Sequence, residues 1–429
     1  MAKYILVIGI LISFSIRLFF ILNGKHVADI WHIGRMGEVL LQGQNPFLVL
    51  DFNVYPPGAI LLSALSLKLY ETFILPFNML IKIWPNLADF ISAFVIYKFL
   101  VKTKVKPIKA TFWSLAFLLN PISIIISSAH GQLDSVATLF VLLSIYLLTF
   151  YSTIKTYFLS AFCLGLAITV KPNPVILIPL FLFFKKVKLS QRFNFLSIVV
   201  LVVGISLIPF LLQDPLQVLS KLLSYSGVYD FSYPAIFRGI WYQINASPQL
   251  PQDLMNQMFS VSKITFLIGA FGLFVLYAGG KQLAKSCLAI YLLFFSCYFG
   301  IGAQYLTWVI ALAVLEREKM LIYYTIFGTV ALIGFYLFFG PDLLLGKFAS
   351  FLPFERKYMY FYFYGNMTFW LISLGWLIKI IIQYLKGPFL TFGLVRKRII
   401  IASFLLFTIS LLPMANLILQ FFKLYTLDN

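Results

Sequence analysis

Charge is what this sequence has least of. Only 11% of its 429 residues are Asp, Glu, Lys or Arg, against roughly 25% in an average soluble domain. Histidine occurs three times, and so does cysteine. Cys163, Cys287 and Cys297 each lie inside an apolar stretch, so they form no disulfide framework, and no CxxC or Cys/His ligand spacing is present. No glycine-rich phosphate loop marks a nucleotide site, and no internal repeat of 20–50 residues points to a solenoid. A cytosolic enzyme, a disordered chain and a disulfide scaffold are all excluded.

Apolar residues are plentiful: 61% of the chain is hydrophobic, 18% is aromatic, and mean hydropathy is +0.95. Such a chain needs lipid as its solvent, and a span takes about 20 apolar residues. Candidate spans are 4–22, 82–101, 110–128, 135–151, 157–170, 174–184, 194–212, 263–279, 286–302, 306–315, 320–339, 366–385 and 399–421. The expected fold is therefore all-α and polytopic, with about 11–13 transmembrane helices. The stretches 174–184 and 306–315 are too short to cross alone and are expected to begin in the polar motifs before them. Met1 to Leu22 has no small-residue cleavage site and carries Arg17, which reads as a retained first span.

The net charge of +19 would suggest nucleic acid in a soluble protein. Here no basic run is interleaved with aromatics, and positive loops have a membrane explanation. With the N-terminus cytoplasmic, one face collects Lys3; Lys102, Lys104, Lys106 and Lys109; Lys155; Lys185, Lys186, Lys188 and Arg192; Lys281 and Lys285; Arg317 and Lys319; and Lys386, Arg396, Lys397 and Arg398. Its acids are Glu316 and Glu318; the others, Asp89 among them, fall to the opposite face or adjoining span ends. The Lys/Arg excess makes the first face cytoplasmic. The expected layout is a membrane module over 1–212 with an outer loop at 23–81, a second outer loop at 213–262, and a C-terminal membrane region over 263–429. The apolar stretch 57–80 is placed at the interface or re-entrant.

Polar residues that lipid penalises are functional candidates, and they gather in five places on the outer face. The first runs from Lys25-His26 through Asp29, Trp31 and His32 to Tyr55-Pro56-Pro57, with an interfacial helix over 30–41. Asp29 reads either as that helix's N-cap or as a general base. His26, Asp29 and His32 also have a spacing open to a metal, without a fourth ligand nearby. The second is Ser127-Ser128-Ala129-His130-Gly131-Gln132-Leu133-Asp134-Ser135. The third is Lys171-Pro172, where Lys171 either snorkels or faces an anionic headgroup. The fourth holds Arg238 and Trp241 among aromatics that also suit an interfacial belt. The fifth is Gln304-Tyr305-Leu306-Thr307-Trp308.

Arg17, Asp29, Trp31, Gly43 and Tyr55-Pro56-Pro57-Gly58 together resemble the first outer loop of GT-C glycosyltransferases. Asn120-Pro121 followed by 127–135 looks like the LNP…HGQxD segment of prokaryotic mannosyltransferase-like members and the matching stretch of eukaryotic GPI mannosyltransferases. Lys171-Pro172, Trp241 and Gln304-Tyr305-Trp308 are similar to three further segments of that family. The chain departs from it in having Ala28-Asp29 for a paired acidic motif and Phe237-Arg238-Gly239-Ile240 before Trp241.

The resemblance implies a polyprenyl-phosphate-linked sugar as donor and a lipid-linked or surface glycan as acceptor, with membrane lipids as the surroundings and no nucleic acid. It carries the general-base role to Asp29. It requires no cofactor and allows a divalent metal. Displacement at the anomeric carbon also needs cations on the leaving phosphate, for which Arg238, Lys171 and His130 are candidates, with Arg356 and Lys357 beyond the matched region. Tyr55, Gln132, Asp134 and Gln304 suit hydrogen bonding to the sugar. Trp31, Trp241, Tyr305 and Trp308 suit stacking on it or contact with the first isoprenes. The rival class is a transporter or flippase, which would show symmetric halves and charges at mid-span.

Overall fold

The computed structural model describes residues 2–24, 28–51, 55–73, 75–151, 153–184, 188–223, 227–245, 247, 249–278, 280, 282–351, 357–386, 393–413, 416–417, 419 and 421. Lys25, His26, Lys185, Lys186, Lys281 and Arg356, all used in the sequence reading, lie outside the described residues.

Among the described residues the regular structure is entirely helical, as expected where lipid offers the backbone no hydrogen-bond partner. In chain order the helices are α1 (Ala2–Asn23), α2 (Ala28–Leu41), α3 (Pro46–Val49), α4 (Pro57–Phe73), α5 (Phe77–Lys102), α6 (Pro107–Leu118) and α7 (Pro121–Ile124). A π-helical turn, Ile125–His130, leads to α8 (Asp134–Phe150), α9 (Ile154–Val170), α10 (Ile178–Leu182), α11 (Leu189–Leu211) and α12 (Pro215–Leu223). Then follow α13 (Tyr233–Asn245), α14 (Gln252–Tyr277), α15 (Leu283–Cys297), α16 (Leu306–Leu315) and α17 (Leu321–Phe339). The last are α18 (Pro341–Leu345), α19 (Lys357–Leu385) and α20 (Leu394–Ser410).

Among the described residues, α1, α5, α11, α14, α17 and α19 are long and apolar enough to cross a membrane singly, and α6 with the segment through His130 forms a further candidate bent by 44°. Most of the other expected spans appear as shorter apolar helices: α8, α9, Asn173–Leu182, α15 and Ala303–Leu315. The last two short stretches do begin in their polar motifs, each as a 3-10 turn, Asn173–Leu177 and Ala303–Tyr305. The chain is a multi-pass membrane protein. Its α1 and α11 keep Leu11, Phe14, Phe19, Val200, Leu201 and Ile205 exposed, as suits helices in a lipid surrounding.

Three expected segments gain detail. The helix expected over 30–41 begins at Ala28, so Asp29 belongs to its first turn and is not the N-cap. Its apolar stripe, Ile30, Ile33, Met36 and Val39, is buried in protein, and the Ser63 hydroxyl on α4 donates to the Ile33 carbonyl at 2.6 Å. The stretch 57–80 becomes α4 plus the first turn of α5, which starts at Phe77 behind Pro76 and so extends five residues beyond the expected span. The stretch 213–262 holds α12, α13 and the start of α14.

The chain divides into two compact units. The first comprises Met1–Tyr225, Gln304–Leu321 and Tyr336–Glu355; the second comprises Ser226–Ala303, Ile322–Phe335 and Arg356–Asn429. The second unit contains a buried aromatic cluster in which Phe231, Phe295, Tyr324 and Phe369 meet ring to ring.

The first unit is organised by one buried ion pair. Asp89 lies in the middle of α5, not at a span end, and Arg17 Nη1 donates to its Oδ2 at 2.7 Å with both side chains almost fully buried. The remaining guanidinium donors reach Asn86 Oδ1 (3.1 Å), Leu118 O (3.0 Å), Ser123 Oγ (3.1 Å) and Ser13 Oγ (3.1 Å). Every N–H of the guanidinium thus has an acceptor. Asp89 Oδ2 also accepts from Ser123 and from Ser127, on the π turn, and Ser128 donates to Asn86. A buried pair broken from one side costs about 3–5 kcal/mol, because the other charge stays behind. Asp89→Ala should therefore lower the thermal unfolding midpoint in detergent steeply, whereas Ser13→Ala, which removes one neutral acceptor, should shift it only slightly.

Candidate functional site

The second sequence motif folds around two backbone irregularities. Pro121 cannot continue α6, and the Asn120 side chain caps α7 by accepting from Ile122 N at 3.0 Å. The helix then widens into the π turn Ile125–His130, a form found frequently at functional sites. It stops at Gly131, whose φ of +84° favours glycine, and the N–H groups of Gly131 and Gln132 both bond to the Ile126 carbonyl. Asp134 opens α8. The turn thereby puts His130, Gln132 and Asp134 at one junction.

Lys171 arrives from α9. Pro172 holds the residue before it extended (φ −142°, ψ 138°), so the helix ends and the lysine leaves at its negative pole. The start of α4 lies against this end: a Cβ on Gly58 would stand 2.6 Å from the Thr169 carbonyl oxygen.

These side chains form one continuous chain of polar contacts. Gln132 Nε2 donates to Asp29 Oδ2 at 2.6 Å, and Lys171 Nζ donates to Gln132 Oε1 at 3.0 Å. The amide orientation follows from its partners, since a carboxylate only accepts and an ammonium only donates. Lys171 Nζ also stands 3.0 Å from Asp134 Oδ2, and Trp308 Nε1 donates to Asp134 Oδ1 at 2.9 Å. Tyr305 stacks on Trp308 with ring centroids 4.3 Å apart, and the Lys171 ammonium lies 5.0 Å from the centroid of the Tyr55 ring.

His130 closes the other side of Asp29. Its Nε2 is 3.2 Å from Asp29 Oδ2, and its Nδ1 is 2.5 Å from Tyr336 Oη. With a carboxylate against Nε2, that nitrogen carries the proton, and in a neutral ring Nδ1 then accepts from the tyrosine hydroxyl. Tyr336, 3% exposed, had no signal in the sequence. The Asp29 side chain is 41% exposed, whereas those of Lys171 and Asp134 are 6% and 0%. Desolvation pushes the Asp29 pKa up, but the hydrogen bond and charge of His130, with Lys171 and His32 behind them, hold it below the ordinary carboxylate range.

Seven of the expected site residues besides Asp29 therefore meet: His130, Gln132, Asp134, Lys171, Tyr55, Tyr305 and Trp308. Gln304 is buried beside them in sequence, and its carbonyl accepts from Thr307. Trp31 is half exposed and lines an open cavity of about 530 Å³ with Arg35, Glu38 and Tyr70. Arg238 and Trp241 belong to the second unit. There Arg238 pairs with Asp230 at 2.8 Å and lies 5.0 Å from the Tyr229 ring centroid, while Trp241 packs on Phe421. Of the three residues with metal spacing, His26 lies outside the described residues; His32 meets Trp31 edge to face. Among the described residues no three His, Cys, Asp or Glu side chains gather to hold a metal.

The chain is an all-helical, multi-pass membrane protein whose motifs resemble those of GT-C glycosyltransferases. A family model described as GPI transamidase subunit PIG-U matches residues 44–241. The matched stretch includes His130, Gln132, Asp134 and Lys171 and excludes Asp29 and Trp308. The crystal structure of ArnT from Cupriavidus metallidurans in the apo state aligns with a TM-score of 0.47 at 12% identity, over 86% of this chain and 76% of that one. No curated protein matches the chain.

The buried Lys171–Asp134 pair should behave as a unit. Lys171→Met leaves a carboxylate uncompensated and should cost about 3–5 kcal/mol. Adding Asp134→Asn, which keeps an acceptor for Trp308, should recover much of that loss in the same detergent unfolding assay.

Proposed function

We propose that the protein is a membrane glycosyltransferase. It moves mannose or another hexose from a polyprenyl-phosphate-linked donor to a hydroxyl of a lipid-linked or surface glycan, at the extracytoplasmic face of the plasma membrane. The observation that carries this reading is Asp29: a part-exposed carboxylate, fixed by Gln132 and His130 and kept ionised by its neighbours. In the reaction the acceptor oxygen forms a bond to the anomeric carbon from the face opposite the phosphate. The bond from that carbon to the phosphate oxygen breaks, and its electron pair leaves on the phosphate. The acceptor proton passes to Asp29, and the anomeric configuration inverts. Among the described residues, Gln132 and His130 donate to a single oxygen, Oδ2, and so aim the carboxylate.

Asp29→Asn preserves size and removes the base. Transfer from a synthetic polyprenyl-phosphate hexose should fall by roughly 10²–10⁴-fold with an unchanged unfolding midpoint; full activity in this variant would refute the assignment. The pH profile gives a second test. A base with a lowered pKa stays ionised in mild acid, so the wild-type rate should show no Asp29 limb above about pH 4. His130→Gln removes the main lowering partner and leaves desolvation, so the acid limb should move to higher pH.

The match to a transamidase subunit supports a second reading, in which the same pocket holds a lipid-linked glycan for an assembly without transferring a sugar. Under that reading Asp29→Asn alters glycolipid affinity, and the purified wild-type chain releases no polyprenyl phosphate from the donor.

A further inference from the structure

One buried cation joins neither polar network. Lys82 lies in the second turn of α5, is 0% exposed, and has no hydrogen-bond partner for its Nζ among the described residues. Its side chain runs along the His130-Gly131-Gln132 turn: a Cβ on Gly131 would stand 2.8 Å from its Cγ, 3.3 Å from its Cε and 3.1 Å from Cδ1 of Ile30, the residue after Asp29. Its Nζ is 3.2 Å from where a Cβ on Gly24 would stand, a spot bordered by the carbonyl oxygens of Phe20 and Leu343. It hydrogen-bonds neither.

This arrangement is costly. A buried ammonium requires a counter-charge or a full set of acceptors. Snorkelling does not explain it, because no part of the side chain reaches the surface. The contrast with its neighbours is sharp: Arg17 has an acceptor for every N–H, and Lys171 holds both Asp134 and Gln132. Two glycines, one with φ of +84°, keep side-chain carbon away from both ends of the lysine.

We propose that Lys82 is an anion ligand of this site and that the anion is the phosphate of the lipid-linked substrate. The choice of phosphate rests on the glycosyltransferase reading above. The alkyl chain of Lys82 lies against the turn that carries His130 and Gln132 and its ammonium reaches the end of α1 at Gly24, and a displacement aided by Asp29 needs a cation on the leaving phosphate. The expected cations Lys171 and His130 already face carboxylates. Among the described residues, Lys82 Nζ has no hydrogen-bond partner.

The full-length protein in nanodiscs should bind undecaprenyl phosphate, and Lys82→Met should weaken that binding by roughly 10- to 100-fold, leaving affinity for undecaprenol unchanged. Lys82→Arg, which keeps the charge, should stay within several-fold of wild type. Without lipid, Lys82→Met should unfold at a higher temperature, because it removes an uncompensated buried charge. Inorganic phosphate separates the sources: a parallel loss of phosphate binding in Lys82→Met assigns the site to the headgroup itself, and a loss confined to the lipid shows that the tail is needed; either outcome supports the ligand role. Equal lipid binding by wild type and Lys82→Met overturns the site alone. A lower midpoint or failure to fold in Lys82→Met also overturns it, since the charge would then be structural. A wild type that binds neither probe overturns both this site and the lipid-linked reading.

Discussion

The Gln132 side chain is the joint on which the first unit's site depends. Its amide nitrogen serves Asp29 and its amide oxygen receives Lys171, so one neutral group connects a carboxylate on α2 to an ammonium at the end of α9. A carboxamide offers a donor and an acceptor on one short plane, and asparagine, with the same group, is one methylene shorter. Gln132 can fill this role because Gly131 turns left-handed and releases it from the π turn. Through Lys171 the same chain continues to Asp134 and Trp308, and four separate sequence segments are locked to one geometry.

Two polar systems sit on the π turn, and they differ in kind. The system around Arg17 and Asp89 is closed: every guanidinium donor is matched, and both charges are buried. Such saturation fits a structural role, and its position explains the serines of the second motif, since Ser127 and Ser128 are the points where the turn is tied to α5. The system around Asp29 is open at one end. Its carboxylate is 41% exposed while Asp134, at the far end, is 0% exposed. A rigid closed frame beside one part-exposed carboxylate is the arrangement the proposed site needs for preorganisation without strain at the group itself.

Much of this was legible in the sequence because lipid makes polarity conspicuous. His130, Gln132, Asp134 and Lys171 stand out against apolar surroundings, and Trp308 stands out through its Gln-Tyr-x-x-Trp company. Tyr336 does not, being one of 24 tyrosines inside an apolar helix. The distribution of charge assigns Asp89 to a face or span end although it lies within 82–101, and Lys82, the first residue of that stretch, looks like its boundary. The true start of α5 at Phe77 moves Lys82 inside the helix. Arg17 carried the missing signal, because a cation inside a span calls for an acid from another span. The two added residues at the start of α2 were hidden too, Asp29 being too polar to extend the apolar stripe.

The mid-span charge pair bears on the choice between transfer and transport. Transporters place ionisable groups near mid-span so that they can exchange partners as access alternates. Asp89 lies midway along α5, yet the partners of the Arg17–Asp89 pair leave little to exchange: Asp89 Oδ2 accepts from an arginine and two serines, and the guanidinium has no spare N–H. Moving either charge would strand the other in a low dielectric. The free chemical capacity of the first unit lies instead along the turn from His130 to Asp134, with Asp29 as its exposed end. That asymmetry, a saturated ion pair beside a part-exposed carboxylate, fits the proposed chemistry on a headgroup better than passage of a solute through the protein.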